Sequence, residues 1–337
     1  MARTYIIAEA GVNHNGSLDL AFRLVDEARA AGADCVKFQT FKAERIVTAA
    51  APKANYQLEV TDRAESQFDM LRKLELDREA FARIQDRCRQ AGIDFMSTPY
   101  NPEDAELLHG LGVDAFKIAS GQLVELPFLR QVARYGRRMI VSTGMADLEE
   151  VREAVGAIRD AGNDDLIVLQ CNTDYPSRVE DANLRAMLTM RDALQVRVGY
   201  SDHVPENHAC FAAVALGAEV IEKHFTLDRG MPGPDHGSSL EPVAFRELVA
   251  GIRAVERSLG DGIKRPGARE RANTFGMRRS LVAVRELPAG HVLTAPDLGF
   301  KRPANGLSPK HLDAVVGRRL ARAMHTDEAL TWDHLHA

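Results

Sequence analysis

The sequence is short of the features that mark secreted, membrane or nucleic-acid-binding chains. It has only four cysteines, Cys35, Cys88, Cys171 and Cys210, set far apart and with no Cys-x-x-Cys pair. That spacing argues against a disulfide framework and predicts reduced thiols. No apolar run approaches the ~20 residues of a transmembrane helix. Basic residues hold no surplus: 43 Lys and Arg stand against 48 Asp and Glu, a formal net charge of -5. Such a balance gives no electrostatic footprint for nucleic acid. A glycine-rich phosphate turn is also missing after the first strand-like run, which reads Glu9-Ala10-Gly11-Val12-Asn13-His14. An open doubly wound dinucleotide-binding sheet would need Gly-x-Gly-x-x-Gly there. The N-terminal residues enter a strand directly, without an apolar signal segment or cleavage site, so a cytoplasmic protein is expected.

What is present is a repeating unit. The chain has 337 residues and is 45% hydrophobic, enough for one large barrel and a small second domain. Eight short apolar runs end in polar or glycine residues: 5–11 (YIIAEAG), 34–40 (DCVKFQT), 94–100 (DFMSTPY), 115–121 (AFKIASG), 139–145 (MIVSTGM), 166–172 (LIVLQCN), 197–203 (RVGYSDH) and 220–226 (VIEKHFT). Runs of this length and composition read as buried parallel strands. Helical patterns separate them. Ala21, Leu24, Val25 and Ala28 share a face that Gly32 terminates. Asp147 and Glu150 form a capping box ahead of Leu148, Val151, Val155 and Ile158. Phe245, Leu248, Val249 and Ile252 repeat the pattern before Gly260. Alternation of this kind predicts an α/β fold, a (β/α)8 TIM barrel, over residues 1–262. The segment 41–76 is long for a loop between strands and is expected to overhang the barrel mouth.

Polar residues gather at the C-terminal ends of these runs: Glu9, Lys37, Gln39, Thr98, Lys117, Ser120, Ser142, Asn172, Ser201, His203, Glu222 and His224. In a barrel those ends meet on one face, where such folds do chemistry. His203 and His224 end neighbouring strands. They could share a divalent ion, for which imidazole suits manganese, iron, cobalt or zinc, or each could cap its own strand. Asp235 and His236 follow in a Gly- and Pro-rich loop. Lys37 and Lys117 lie inside strand runs. They could hold a phosphate or carboxylate together with the nearby hydroxyls, one could form a Schiff base, or they could pair with Glu9 and Glu222.

Beyond the barrel, residues 263–278 turn rich in Gly, Pro and Arg and read as a linker. Residues 279–337 hold an internal repeat, with 281–298 echoed by 319–335. Each half combines a short strand, a turn, a Leu-Thr pair and an Asp-containing helical turn. Spacing alone does not single out Arg302 in its Pro- and Gly-containing loop.

Ten motifs occur in order: EAGVNHNGS, KFQTF, STP, KIASG, STGM, CNTDYP, GYSDH, EKHFT, GPDH and KRPANG. Together they resemble the N-acetylneuraminate (sialic acid) synthase family, including legionaminate-type synthases. The resemblance runs from about Tyr5 through a C-terminal SAF (antifreeze-like) domain. It implies a homodimeric transferase with a swapped SAF domain, which joins phosphoenolpyruvate to an N-acylated mannose-type sugar and releases phosphate. It implies that Lys37, Thr98, Lys117, Ser120, Ser142 and Ser201 hold phosphoenolpyruvate. His203 and His224 would hold a divalent metal of the manganese type, so a Mn2+ cofactor is expected. Gln39, Tyr175 and Asp235 would surround the sugar, with Glu9 and Asn172 also at the substrates. Arg302 would reach the N-acyl group from the other subunit. One departure stands out. Where the family pattern is Ser-Gly-Glu, this chain has Ser120-Gly121-Gln122. Glutamine keeps the hydrogen bonding and loses the exchangeable proton, so either the sugar preference or the catalytic role of Gln122 is expected to differ. The acceptor is expected to be N-acetylmannosamine or 2,4-diacetamido-2,4,6-trideoxymannose, and the segments 53–58 and 72–76 resemble enzymes of both kinds. Three alternatives are a barrel synthase using a phosphorylated aldose, a Schiff-base aldolase on Lys117, and a sugar-binding barrel with impaired catalysis.

Overall fold

A computed structural model describes residues 3–49, 51–53, 58, 61–62 and 64–336. Residues 54–57, most of the 53–58 segment named above, lie outside it. The chain divides into two compact units, Met1–Gly260 and Asp261–Ala337. No helix among the described residues is long and apolar enough to cross a membrane.

The first unit is built on eight parallel strands: β1 (Tyr5–Gly11), β2 (Cys35–Thr40), β3 (Asp94–Pro99), β4 (Ala115–Ile118), β5 (Arg138–Ser142), β6 (Leu166–Cys171), β7 (Arg197–Asp202) and β8 (Val220–His224). Their order is β3-β2-β1-β8-β7-β6-β5-β4, so β1 pairs with β8 and the sheet curls into a barrel. β3 and β4 stand side by side at the seam, with no ladder between them among the described residues. A helix follows each strand: α1 (Leu18–Ala31), α2 (Arg78–Ala91), α3 (Pro102–Gly110), α4 (Leu126–Ala133), α5 (Leu148–Asp160), α6 (Arg185–Leu194), α7 (His208–Ala215) and α8 (Pro242–Ser258). The caps lie where the sequence places them. Asp147 Oδ1 accepts from the Glu149 and Glu150 amides at 2.9 and 3.0 Å, and Glu150 Oε2 accepts from the Asp147 amide at 3.0 Å. Gly32 ends α1 at φ 89°, a conformation that favours glycine.

Strand alternation sorts the side chains into two cores. Outward residues such as Ile6, Ala8, Val36 and Phe38 pack against the helices. Inward residues Ile7, Cys35, Met96, Ala115, Ile140, Ile167, Leu169 and Val220 form an apolar plug, with Tyr5 packed against it. Gly199 is one place where that plug needs glycine: an added Cβ would lie 2.5 Å from the Val220 carbonyl and 2.7 Å from Leu169 Cδ2. Further along the strands the inward positions turn polar, with Glu9, Lys37, Thr98, Lys117, Ser142, Ser201 and Glu222, and that change makes the cavity floor.

In the second unit, β9 (Ser280–Ala283) pairs antiparallel with β10 (Leu298–Lys301). Leu281, Leu287, Leu293, Leu320, Met324 and Leu330 belong to its core. The sequence repeat is visible as two matching 3-10 turns. Thr294 opens the first and bonds Asp297; Thr331 opens the second and bonds His334. The stretch expected to be a linker carries a helix, α9 (Ala268–Met277), which buries none of its residues. Its Ala, Arg and Glu residues are strong helix formers, and they prevail once Pro266 and Gly267 are passed.

Asp297 anchors this unit. Its carboxylate is 2% exposed and accepts from His291 Nε2 at 2.8 Å, the Thr294 amide at 2.9 Å and the Thr294 hydroxyl at 2.7 Å, with Arg285 alongside. Burial alone would raise its pKa; the bonds from His291 and Thr294 and the Arg285 charge outweigh it and hold the group below the usual carboxylate range. A depressed folded-state pKa means that the stabilisation is present above the unfolded value near 4 and is lost as pH falls through the folded one. Asp297→Ala is expected to cost about 1–3 kcal/mol by leaving buried donors unpaired. Urea unfolding followed by the fluorescence of Trp332, the sole tryptophan, measures this at neutral pH, and the difference from wild type should shrink in strong acid.

Candidate active site

The polar layer above the plug is a network of buried charges. Lys37 comes from β2 and Lys117 from β4, and both are at most 3% exposed. Lys37 Nζ lies 2.8 Å from Glu9 Oε2, 3.6 Å from Glu222 Oε2 and 3.1 Å from Thr98 Oγ1. Lys117 Nζ lies 3.6 Å from Glu222 Oε1 and donates to Ser142 Oγ at 2.7 Å and to the Ile118 carbonyl at 3.0 Å. Ser201 Oγ donates to Glu222 Oε1 at 2.9 Å. Burial would raise Glu222, yet the two ammoniums outweigh it and hold its pKa down to about 2. Glu9 is pushed up to about 7 by burial, with Glu222 adding to the rise and Lys37 opposing it. Burial lowers Lys117. The lysines therefore engage both the carboxylates and the hydroxyls.

His203 and His224 stand above this layer with ring centroids 5.3 Å apart. Tyr175 packs 4.1 Å from the first ring and 5.7 Å from the second. His203 Nδ1 faces the Asn172 carbonyl. A carbonyl only accepts, so Nδ1 carries a proton and donates it there. His224 is pushed well below its ordinary pKa by burial, then by His203 and Lys37, and its buried Nδ1 has no hydrogen-bond partner. Two adjacent imidazoles with oriented or unpartnered nitrogens fit a divalent ion of the manganese-to-zinc series. No cluster of three or more His, Cys, Asp or Glu arranged for a metal occurs among the described residues.

These groups line one cavity of about 490 Å³. Glu9, Lys37, Gln39, Thr98, Lys117, Ser120, Gln122, Ser142, Tyr175, Ser201, His203, Glu222, His224 and Asp235 all reach it. Gln39 donates to Glu9 at 3.2 Å and accepts from the Tyr100 hydroxyl at 3.2 Å. Asp235, half-buried, is raised to about 6 by desolvation, with His203 and Lys37 opposing. The described part of the 41–76 segment supplies an apolar wall: Phe41, Ile46, Val47 and Leu71.

One expected site residue is placed elsewhere. The Asn172 side chain turns to the Asp181 carbonyl at 3.4 Å and does not line the cavity. Its contribution is the main-chain carbonyl that orients His203, because the side chain at 172 follows the cavity-facing Cys171 and takes the opposite side. Arg302 belongs to the second unit, where it is exposed and Nε donates to the Met277 carbonyl at 3.0 Å. Cys171 was missed as a cavity residue. Burial would raise its thiol, but His203, Ser120 and Lys117 outweigh it and hold it below its ordinary value. Its position at the end of β6, in phase with Leu169, was the available signal. Gly144 packs behind two lining residues: a Cβ there would sit 2.1 Å from Thr173 Oγ1, and its amide donates to Ser120 Oγ at 3.0 Å.

Gln122 is 4% exposed and is tied to the backbone at both ends of its amide. Nε2 donates to the Pro99 carbonyl at the end of β3 at 3.0 Å, and Oε1 accepts from the Ala119 amide just after β4 at 3.3 Å. It thus spans the seam that lacks a strand ladder. A carboxylate could accept from Ala119 but would face the Pro99 carbonyl with no proton to donate. Gln122→Glu is expected to lower barrel stability by about 1–3 kcal/mol and to lower turnover, read by circular dichroism in urea and by phosphate release. A more active and equally stable Glu variant would show that position 122 handles protons instead.

Residues 24–264 match the NeuB family and residues 278–336 match the SAF domain. The chain is 44% identical to the N,N'-diacetyllegionaminic acid synthase of Campylobacter jejuni, over 98% of this chain and 99% of that protein. It is 41% identical to the enzyme of the same name from Legionella pneumophila, over 99% of this chain and 95% of that protein. Among solved structures, the N-acetylneuraminic acid synthetase of Leptospira borgpetersenii superposes with a TM-score of 0.72 at 33% identity, covering 81% of this chain and 90% of that one. Eight parallel strands, a charged floor under paired histidines and these likenesses agree: the chain belongs to the NeuB family, with a SAF domain following its barrel.

Proposed function

We propose that the enzyme condenses phosphoenolpyruvate with an N-acylated mannose-type sugar, releasing phosphate and forming a nonulosonic acid. The observation that carries this is the pair of buried ammoniums, Lys37 and Lys117, set among Thr98, Ser120, Ser142 and Ser201 beneath two histidines. Two fixed positive charges and four oriented hydroxyls suit a small ligand carrying both a carboxylate and a phosphate. The apolar wall of Phe41, Ile46, Val47 and Leu71 suits acyl and deoxy methyl groups on the acceptor. Identities of 44% and 41% to diacetyllegionaminic acid synthases, against 33% to an N-acetylneuraminic acid synthetase, favour 2,4-diacetamido-2,4,6-trideoxymannose over N-acetylmannosamine.

In this reading C3 of phosphoenolpyruvate bonds to the sugar's aldehyde carbon, water adds to C2, and phosphate leaves by cleavage of its C2–O bond. Lys37 and Lys117 hold the phosphate and carboxylate as charge develops at C2. Glu9 and Asp235, with pKa values raised to about 7 and about 6, are poised to give a proton to the aldehyde oxygen and to take one from the incoming water. Gln39 and Tyr175 orient the sugar. A divalent metal of the manganese type, held by His203 and His224, would supply Lewis acidity at the aldehyde oxygen. The protein acts in the cytoplasm as a homodimer, with Arg302 reaching the N-acyl group from the other subunit.

The test is incubation with phosphoenolpyruvate, Mn2+ and each sugar in turn, with product mass and released phosphate measured. The diacetamido sugar is expected to be turned over fastest. EDTA should abolish the reaction and Mn2+ restore it, while borohydride treatment should leave it intact because no Schiff base forms. Activity that survives complete metal removal would refute the metal role, and a strict need for a phosphorylated aldose would replace the acceptor.

A further inference from the structure

Each of the two cavity histidines is preceded in sequence by a charged residue that faces the other way. In β8, Glu222 and His224 line the cavity, whereas Lys223 points into the layer between strands and helices. In β7, Ser201 lines the cavity and Asp202 points outward to meet it. The two side chains are 2% and 0% exposed and lie 2.6 Å apart. Neither reaches the cavity.

The pair is fully satisfied. Asp202 Oδ1 accepts from the Tyr200 hydroxyl at 2.9 Å and the Val204 amide at 3.0 Å. Asp202 Oδ2 accepts from Lys223 and from the Cys210 thiol at 3.1 Å. The three Lys223 protons go to Asp202, the Val204 carbonyl and the Glu206 carbonyl, the last at 3.0 Å. Stability alone does not call for this arrangement, since apolar residues of similar volume often stabilise a core as well as a buried ion pair does. What the pair fixes is a distance and a turn. The β7–β8 ladder ends at Asp202 opposite Lys223, so His203 stands one residue beyond the last ladder pair. The turn that follows it, 204–206, is held by Lys223 through two carbonyls and by Asp202 through one amide.

We propose that the buried Asp202–Lys223 pair is a positioning device: it holds His203 at the spacing from His224 that lets both imidazoles bind one divalent cation. The proposal rests on the metal reading given above. Loss of such a supporting contact typically weakens metal binding by about 10–100-fold.

The experiment titrates Mn2+ into the protein by calorimetry, without substrates, for wild type, His224→Ala, Lys223→Met and the double variant Asp202→Asn/Lys223→Met. The single variant Lys223→Met leaves a buried carboxylate unpaired, so the double variant, with no buried charge and similar volume, decides. Circular dichroism checks its fold, and binding of phosphoenolpyruvate in the absence of metal checks the cavity floor. Wild type is expected to bind Mn2+, His224→Ala to lose it, and the folded double variant to bind about 10–100-fold more weakly with phosphoenolpyruvate binding unchanged. Mn2+ affinity equal to wild type in the double variant overturns the positioning role. A double variant that fails to fold also overturns it, because the pair is then needed for stability. Wild type and His224→Ala binding Mn2+ alike would instead overturn the metal reading itself.

Discussion

The first unit is organised around two ammonium groups buried at the centre of the barrel. A lysine cannot sit at 3% exposure unless its charge is matched. Lys37 and Lys117 are matched from one side by Glu222, which lies 3.6 Å from each, and Lys37 also by Glu9 at 2.8 Å. Glu222 serves both lysines and stays ionised; Glu9 serves one, and burial raises its pKa, with the second carboxylate nearby adding to the rise. A bound dianion would take over part of this pairing. Protons would then redistribute among Glu9, Glu222 and Lys117.

Parity along the strands gives this arrangement its depth. Tyr5, Ile7 and Glu9 occupy successive inward positions of β1, so the interior runs from packed to charged along a single strand. The same step takes Cys35 to Lys37, Ala115 to Lys117 and Val220 to Glu222. The apolar plug excludes water from below and keeps the local dielectric low, which strengthens the pairing of the lysines with Glu9 and Glu222. The opposite parity carries Asp202 and Lys223 into the helix layer, where a second charge pair ties the ends of β7 and β8. The cavity network and the Asp202–Lys223 pair thus lie on opposite sides of β8, one facing the cavity and the other the helices.

Much of this was legible in the sequence, because strand period and strand-end chemistry are local. Runs such as VIEKHFT show their inward Glu and His and their outward Lys by alternation alone. Other features depended on contacts between distant residues. Gln122 reads as a departure at a catalytic position, yet its amide spans the carbonyl of Pro99 and the amide of Ala119. Nothing near it in sequence announces an unladdered seam. Asn172 stands at a strand end like the true cavity residues, but parity turns its side chain away and leaves its carbonyl to orient His203. Cys171, one residue earlier, takes the inward place instead.

By itself the sequence determined that this is a barrel with a polar face, and through its ordered motifs which family it resembles. Periodicity, caps and strand-end residues act over a few positions, so they survive being read in one dimension. Only the tertiary structure decided which lysine meets which carboxylate and which amide bridges the β3–β4 seam. It also decided that the Asp and Lys preceding the two histidines meet behind them. Those choices follow from barrel closure, which sets β1 beside β8 and residues some two hundred positions apart within hydrogen-bonding distance.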